Sequence, residues 1–133
     1  MVAEVLPLGS WSKVYEHLAV SKDRKLISKE YDLLPATLQS WLHSLTFLRN
    51  VCAHHGRLFG RKLPLTPNKA KSLPMTNDKF LYNFVCVAWY MLKALSPNSR
   101  WLEEFHDELS ELTSDSMHFG FESNWLEQPF WLA

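Results

Sequence analysis

Apolar residues recur at intervals of three and four along much of the chain, which is the spacing of one face of an α-helix. The clearest stripe follows Pro35, a residue type that is tolerated in the first turn of a helix. It predicts a long helix that ends near His55, with Gly56 as its C-cap. Its apolar members are Leu38, Trp41, Leu42, Leu45, Leu48 and Cys52.

Two shorter helices are predicted before this one. Ser10 is a suitable N-cap for a helix that continues to about Leu18. The stripe of that helix comprises Trp11, Val14, Tyr15 and Leu18. Ser21 or Asp23 opens a second, basic helix that contains Leu26, Ile27 and Tyr31. The apolar residues 2–8 look like the end of a helix that enters from a region preceding the chain.

The second half of the chain begins with a basic, proline-containing segment, Arg57–Thr76. It is predicted to be a loop of roughly 20 residues, a length that is often functional within a compact domain. Thr76 or Asn77 then caps a fourth helix, Asp78–Leu95. Apolar residues cover this helix on almost every side, which places it in the middle of a bundle.

A fifth helix is predicted from Asn98 or Ser99 to about Leu112, with an apolar stripe opposite an acidic face. The stripe comprises Trp101, Leu102, Phe105, Leu109 and Leu112. The tail, Phe119–Leu132, mixes aromatic and turn-forming residues and is predicted to be an irregular cap. No alternating pattern typical of strands occurs in the sequence. We therefore predict an all-α bundle of about five helices that forms one domain over residues 1–133.

Composition agrees with a folded domain and sets limits on its partners. The net charge is zero, so no global field attracts nucleic acid, although a local basic patch would be enough. The longest apolar run, Phe80–Leu95, is interrupted by polar residues and is shorter than the ~20 residues that span a bilayer. The segment after Met1 has no basic signal-peptide region. We expect a soluble, cytoplasmic protein in which Cys52 and Cys86 are buried free thiols.

Three polar residues near the end of the long helix are candidates for chemistry: Arg49, Asn50 and His54. At about 100° per residue, Asn50 and His54 are about 40° apart and share a face, whereas Arg49 and His54 are about 140° apart. Two arrangements would bring Arg49 and His54 together. Either the helix distorts or ends near His54, or a second copy completes the site across a two-fold axis.

These residue types suit the cleavage of RNA through its 2′-hydroxyl group. Histidine can take or give a proton near neutral pH, and arginine can bind two phosphate oxygens as charge develops on them. Asn50 could orient His54 or contact the phosphate, and this chemistry requires no metal. The alternative is a salt-bridged or solvated helix face. A zinc site formed by His54, His55 and Cys52, with His17 or His43 as a further ligand, lacks any standard paired spacing.

Three further residues are candidate RNA contacts. His55 directly follows His54, and Arg57 and Arg61 lie just beyond the helix, where they would supply local positive charge for a phosphate backbone. The alternative for His55 is a cation that interacts with the C-terminal end of the helix dipole. The alternative for Arg57 and Arg61 is that they are ordinary surface arginines.

The segment around these residues resembles a known family. Leu48–Leu58, followed by Phe59-Gly60-Arg61, is similar to the L-R-N-x-x-A-H-H-x-R-L-W-N-R block of the Abi-like (abortive infection, AbiD/AbiF-type) family. Arg49-Asn50-x-x-x-His54 is also similar to the R-N-x-x-x-H signature of HEPN ribonucleases. The resemblance extends to Leu8–Ser12 with Tyr15, to Trp41–Leu45, and to Phe119–Phe121 with Trp125. The departures from the pattern are Phe59, Gly60, Phe119 and Glu122.

The resemblance implies a HEPN-like bundle, the C-terminal half of a longer family architecture. It implies a metal-independent endoribonuclease of a phage-defence or toxin-like system, with Arg49, Asn50 and His54 as catalytic residues of a composite site in a homodimer. RNA is the expected partner, and an antitoxin or a missing N-terminal region is a candidate second one. Neither a cofactor nor a membrane is expected. The alternative is a non-catalytic helical module that binds RNA or protein within a defence or toxin–antitoxin system.

Overall fold

The computed structural model describes residues 7–112 and 115–133, and all regular structure in these two ranges is helical. Within the described residues there are six α-helices: α1 (Leu8–Glu16), α2 (Ser21–Lys29), α3 (Pro35–Ala53), α4 (Leu81–Leu95), α5 (Trp101–Leu112) and α6 (Pro129–Leu132). Two short 3₁₀ turns, Ser116–Phe119 and Trp125–Glu127, lie in the tail. The predicted all-α class is therefore confirmed. The predicted helix end at residues 2–8 falls almost entirely outside the described residues.

The chain divides into two compact units. Unit one ends at Gly56 and contains α1, α2 and α3, whereas unit two is Arg57–Ala133 and contains α4, α5 and α6. The assignment of residues 1–133 to a single domain stays a prediction.

Unit one is built around the long helix α3. The side chains of Leu38 and Trp41 are almost completely buried, at 1% and 0% exposure, and Tyr15 of α1 is buried as well. The Tyr15 hydroxyl donates a hydrogen bond to the carbonyl oxygen of Arg24 in α2 at 3.0 Å. The serines Ser12, Ser28 and Ser44 are also buried. Each of the three helices thus carries one buried serine.

Helix α1 begins two residues before the predicted cap. Pro7 occupies the N-cap position, and its carbonyl oxygen accepts the Ser10 N–H at 2.9 Å. The expectation that Ser10 caps the helix is therefore wrong, because Ser10 already lies in the first helical turn. The predicted stripe is also only partly buried: Tyr15 faces the core, whereas Trp11 and Val14 are exposed.

Helix α3 ends in a Schellman motif, a hydrogen-bonded turn that closes the last carbonyl groups of a helix. His54 is the C-cap, the N–H of His55 donates to Cys52, and the N–H of Gly56 donates to Val51 at 2.7 Å. His55 has a φ of 54°. The C-cap is thus His54 and not the predicted Gly56, and His55 is the residue in the left-handed conformation. Gly56 is required for a different reason, because a Cβ there would lie 2.7 Å from Cγ1 of Val51.

Helix α4 forms the centre of unit two, as its apolar sequence predicts. Nine of its residues are buried, among them Phe84, Cys86 and Val87. It begins at Leu81, three residues after the predicted start. Buried Asn83 explains the delay, because its side-chain amide accepts the Thr76 N–H at 2.9 Å and donates to the Thr76 and Asp78 carbonyl oxygens. These bonds hold residues 76–80 in a non-helical turn.

The predicted basic loop and irregular tail both pack within unit two. Leu63 and Leu73 of the loop are buried, and the N–H of Leu63 donates to the carbonyl oxygen of Lys79 at 2.7 Å. In the tail, Phe121 is fully buried and its ring lies edge-on to Tyr82, with 5.0 Å between centroids. Leu112, assigned to the apolar stripe of α5, is 73% exposed and marks the end of that stripe.

Two further expectations concern the cysteines and the membrane. Cys86 is buried as predicted, but Cys52 is exposed, because it lies on the outer side of the last turn of α3. The prediction of a buried thiol at Cys52 is therefore wrong. Within the part of the chain that the structure describes, no helix combines the length and the apolar character that crossing a bilayer requires.

Candidate functional site

Arg49 and Asn50 lie near the C-terminal end of α3, and both are exposed. Nη1 of Arg49 donates a hydrogen bond to Oδ1 of Asn50 at 3.3 Å. This bond draws the guanidinium group towards the helix face that carries Asn50. A positive group and an amide are therefore presented together to solvent, as the binding of a phosphate oxygen requires.

His54 and His55 follow at the point where the helix ends. The N–H of His54 donates to the carbonyl oxygen of Asn50 at 3.0 Å, so His54 keeps its helical position one turn beyond Asn50. Its backbone angles, φ −96° and ψ 18°, lie in the bridge region, where many active-site residues are found. Both histidines are exposed. The helix thus ends next to His54, while the convergence of Arg49 and His54 stays a prediction.

An open cleft of about 450 Å³ lies between α1 and α3, and it contains Arg49 and Asn50. The lining residues are Pro7, Leu8, Gly9, Ser10, Ser12, Lys13, Glu16, His43, Thr46, Arg49 and Asn50. Helix α1 approaches α3 closely at Gly9, where a Cβ would lie 3.1 Å from Cγ2 of Thr46. The sequence places Arg49 and Asn50 correctly on one helix, but the cleft exists only because α1 packs beside it.

A second depression of about 350 Å³ continues from this cleft along the same two helices. It shares Ser12, Glu16 and His43 with the cleft and adds Ala36, Gln39 and Ser40. We refer to the two together as the α1–α3 groove. Most of its lining residues are of polar types. The basic ones are Lys13, His43 and Arg49, and Glu16 is the one carboxylate among the described residues that line it.

The groove separates the predicted site residues into two sets. Arg49 and Asn50 are among the described residues that line it, whereas His54 and His55 lie beyond its end. His43 and Lys13 line the groove. The sequence predicts His43 only as a possible zinc ligand and does not single out Lys13. The spacing of His43, Thr46 and Asn50, which fall on one side of a helix, was a usable signal for His43. No feature of the sequence predicts that Lys13 lies beside α3.

Arg57 and Arg61 belong to unit two and are exposed. Nε of Arg57 donates to the carbonyl oxygen of Phe59 at 2.9 Å, and Nη1 of Arg61 donates to that of Arg57 at 3.4 Å. The Phe59 ring contacts the His118 ring, with 4.4 Å between centroids. The two guanidinium groups are thus tied to one turn of the chain. Their contact with RNA stays a prediction.

The histidines and Cys52 are the side chains that the sequence offers as metal ligands. In residues 7–112 and 115–133, no group of three or more His, Cys, Asp and Glu side chains is arranged to hold a metal ion.

The fold and the polar groove define an all-helical protein with an exposed arginine–asparagine pair at a cleft. The Abi-like protein family matches residues 1–60, which include α1, α2, α3 and the whole of the Arg49–His55 segment. The predicted family resemblance is therefore confirmed over this part of the chain. The family suggests an abortive-infection-related function. No curated protein and no solved structure matches the chain.

Proposed function

We propose that the chain is an endoribonuclease of an abortive-infection system and that Arg49, Asn50 and His54 carry out the cleavage. The observation that supports this most directly is the exposed Arg49–Asn50 pair at an open cleft, one turn before His54. Side chains that only stabilise the fold would be expected to point towards the core or to pair with a carboxylate. The match of residues 1–60 to the Abi-like family supports the same process.

The proposed reaction forms a bond between the ribose 2′-oxygen and phosphorus and breaks the bond between phosphorus and the 5′-oxygen. One His54 takes the 2′-proton, and a second His54 protonates the departing 5′-oxygen. Arg49 binds the non-bridging phosphate oxygens, on which negative charge increases in the transition state. Asn50 holds Arg49 through its side-chain oxygen. The products carry a 2′,3′-cyclic phosphate and a 5′-hydroxyl group.

Two copies of the chain supply the two histidines in this proposal. His54 lies beyond the end of the groove that contains Arg49, so a phosphate bound at Arg49 of one copy needs a proton donor or acceptor from elsewhere. A homodimer with a two-fold axis close to the end of α3 would place both His54 side chains in one shared cleft.

Cleavage of a labelled RNA by the purified chain, with a chelator present, tests the catalytic assignment. We expect His54→Ala and Arg49→Ala each to lower the cleavage rate about 100-fold or more. His17→Ala is the control, because His17 is also an exposed C-cap histidine, at the end of α1. Cleavage that persists unchanged in the His54→Ala or Arg49→Ala variant would overturn the proposal.

A heterodimer tests the composite site. One wild-type copy and one His54→Ala copy can be isolated together through two different affinity tags. If both histidines serve one cleft, this heterodimer should be almost as inactive as the His54→Ala homodimer. If each copy acts alone, it should retain about half of the wild-type activity.

The second candidate is a helical module that binds RNA or protein without cutting RNA. The position of His54 outside the groove favours it, since Arg49 and Asn50 could bind a phosphate without a nearby proton-transfer group. Toxicity on expression that disappears with His54→Ala would support the enzyme. Equal RNA affinity of the wild type and His54→Ala, with no cleavage by either, would support the binding module.

A further inference from the structure

We propose that the part of the α1–α3 groove beyond Arg49 binds the nucleotide that flanks the cleaved phosphodiester, with His43 and Lys13 as its principal contacts. This inference rests on the proposed function, because it takes the reacting phosphate to lie at Arg49 and Asn50. It assigns a substrate-binding role to two residues that the proposed reaction does not use.

The geometry of α3 directs a bound strand towards His43. His43 and Asn50 are seven residues apart, which places them within about 20° of each other on one helix face and about 10 Å apart along the axis. Thr46 lies between them on the same side, and all three line the cleft. A strand whose reacting phosphate lies at Asn50 and which follows the groove therefore passes Thr46 and then reaches His43.

The charge of the groove suits an anionic strand. Lys13 and Arg49 carry positive charge, and His43 can donate a hydrogen bond in either protonation state. Glu16 is the single carboxylate among the lining residues named for the groove. A phosphate backbone would gain from the two cations.

The size of the groove also fits. The cleft of about 450 Å³ lies within the range of small-ligand sites, and the continuing depression adds further room. The width of the groove is fixed where Gly9 faces Thr46. The Thr46 hydroxyl donates a hydrogen bond to the carbonyl oxygen of Leu42 at 2.8 Å, and this bond restrains the methyl group of Thr46. A methyl group at position 9 would lie in tight contact with Cγ2 of Thr46, at 3.1 Å.

The inference is tested by binding of a short 2′-O-methyl RNA, which lacks the attacking hydroxyl and so cannot be cut. Fluorescence anisotropy should show a three- to tenfold weaker affinity for His43→Ala and for Lys13→Ala. The matched controls are His17→Ala and Lys22→Ala, whose side chains are exposed in unit one outside the groove lining. Wild-type affinity in both groove variants, or equal losses in the controls, would overturn the inference.

Cleavage kinetics separate this inference from the proposed function. With cleavable RNA, His43→Ala should raise KM about three- to tenfold and leave kcat within about twofold of the wild-type value. The reason is that His43 would bind the substrate and the transition state equally well, so its loss weakens binding without slowing the chemical step. A fall in kcat comparable with that of His54→Ala would contradict a binding role for His43. If the chain cuts no RNA at all, the proposed reaction fails, while the anisotropy measurement still tests the groove.

Discussion

Nη1 of Arg49 donates to Oδ1 of Asn50 across 3.3 Å, although consecutive residues of a helix project about 100° apart. The long arginine side chain bridges this angle and joins two residues that would otherwise face different directions. The guanidinium group is therefore positioned by Asn50, and it keeps further N–H donors for a phosphate. Since both residues are exposed, the contact contributes little to the stability of the fold.

The first prediction follows from this contact. Asn50→Ala removes the acceptor and leaves Arg49 without its restraint, so the RNA cleavage rate should fall about tenfold or more. The melting temperature should barely change, because an exposed substitution of this kind usually alters the free energy of unfolding by less than about 0.5 kcal/mol. Asn98→Ala, at an exposed amide of unit two, serves as the control. Unchanged cleavage by Asn50→Ala would show that Arg49 needs no such support.

The helical elements follow closely from local sequence. The stripes of α3 and α4 predict their course, because a continuous apolar face at helical spacing has few other ways to be buried. Element ends are less predictable. The start of α4 is displaced by Asn83, whose hydrogen bonds to residues 76 and 78 are visible only in three dimensions.

The candidate site could be predicted only in part, for the same reason. Arg49, Asn50 and His54 are neighbours in one helix, so the sequence alone places them near each other. Lys13 lies on a different helix and lines the groove through tertiary packing of α1 on α3. The packing at Gly9 that permits this approach carries no signal in the hydrophobic pattern.

The second prediction concerns the strained end of α3. His55 holds a φ of 54°, a conformation that costs a residue with a side chain about 1–2 kcal/mol and costs glycine little. His55→Gly should therefore raise the free energy of unfolding by about 1 kcal/mol, measured by urea denaturation. The reference variant is His54→Gly, at a φ of −96°, which should lower stability by about 0.5–1 kcal/mol. An equal loss of unfolding free energy in His55→Gly and His54→Gly would show that the backbone at His55 is not strained.

The same variant separates strain from function. If His55 contacts RNA as the sequence predicts, His55→Gly should bind a 2′-O-methyl RNA more weakly even though the protein is more stable. A more stable variant with unchanged affinity would indicate that His55 only closes the helix.

The third prediction concerns thiol reactivity. Cys52 is exposed, whereas Cys86 is buried and its burial raises the pKa of the thiol to about 12. Because the thiolate is the reactive form, a disulfide reagent such as DTNB should react with one thiol in the folded protein and with two in denaturant. In the Cys52→Ser variant, no thiol should react with DTNB while the protein is folded. Rapid reaction of two thiols in the native wild type would contradict the burial of Cys86.

The fourth prediction is a loss of stability at high pH. The folded-state pKa of Cys86, about 12, lies above the ordinary value of 9.0, so the folded state retains this proton while the unfolded state releases it. The resulting stabilisation is fully present below about pH 9 and is lost as the pH rises towards 12, with a limiting slope of about 1.4 kcal/mol per pH unit. Burial also raises the pKa of Tyr82, which acts in the same direction.

Urea denaturation between pH 8 and pH 11 measures this dependence. Cys86→Ala should give a shallower fall in stability with pH than the wild type, because one of the two buried acids is gone and Tyr82 remains. Cys52→Ala is the matched control, since it removes an exposed thiol from α3. If the fall is equally steep in all three proteins, protonation of Cys86 does not contribute to the stability of the fold.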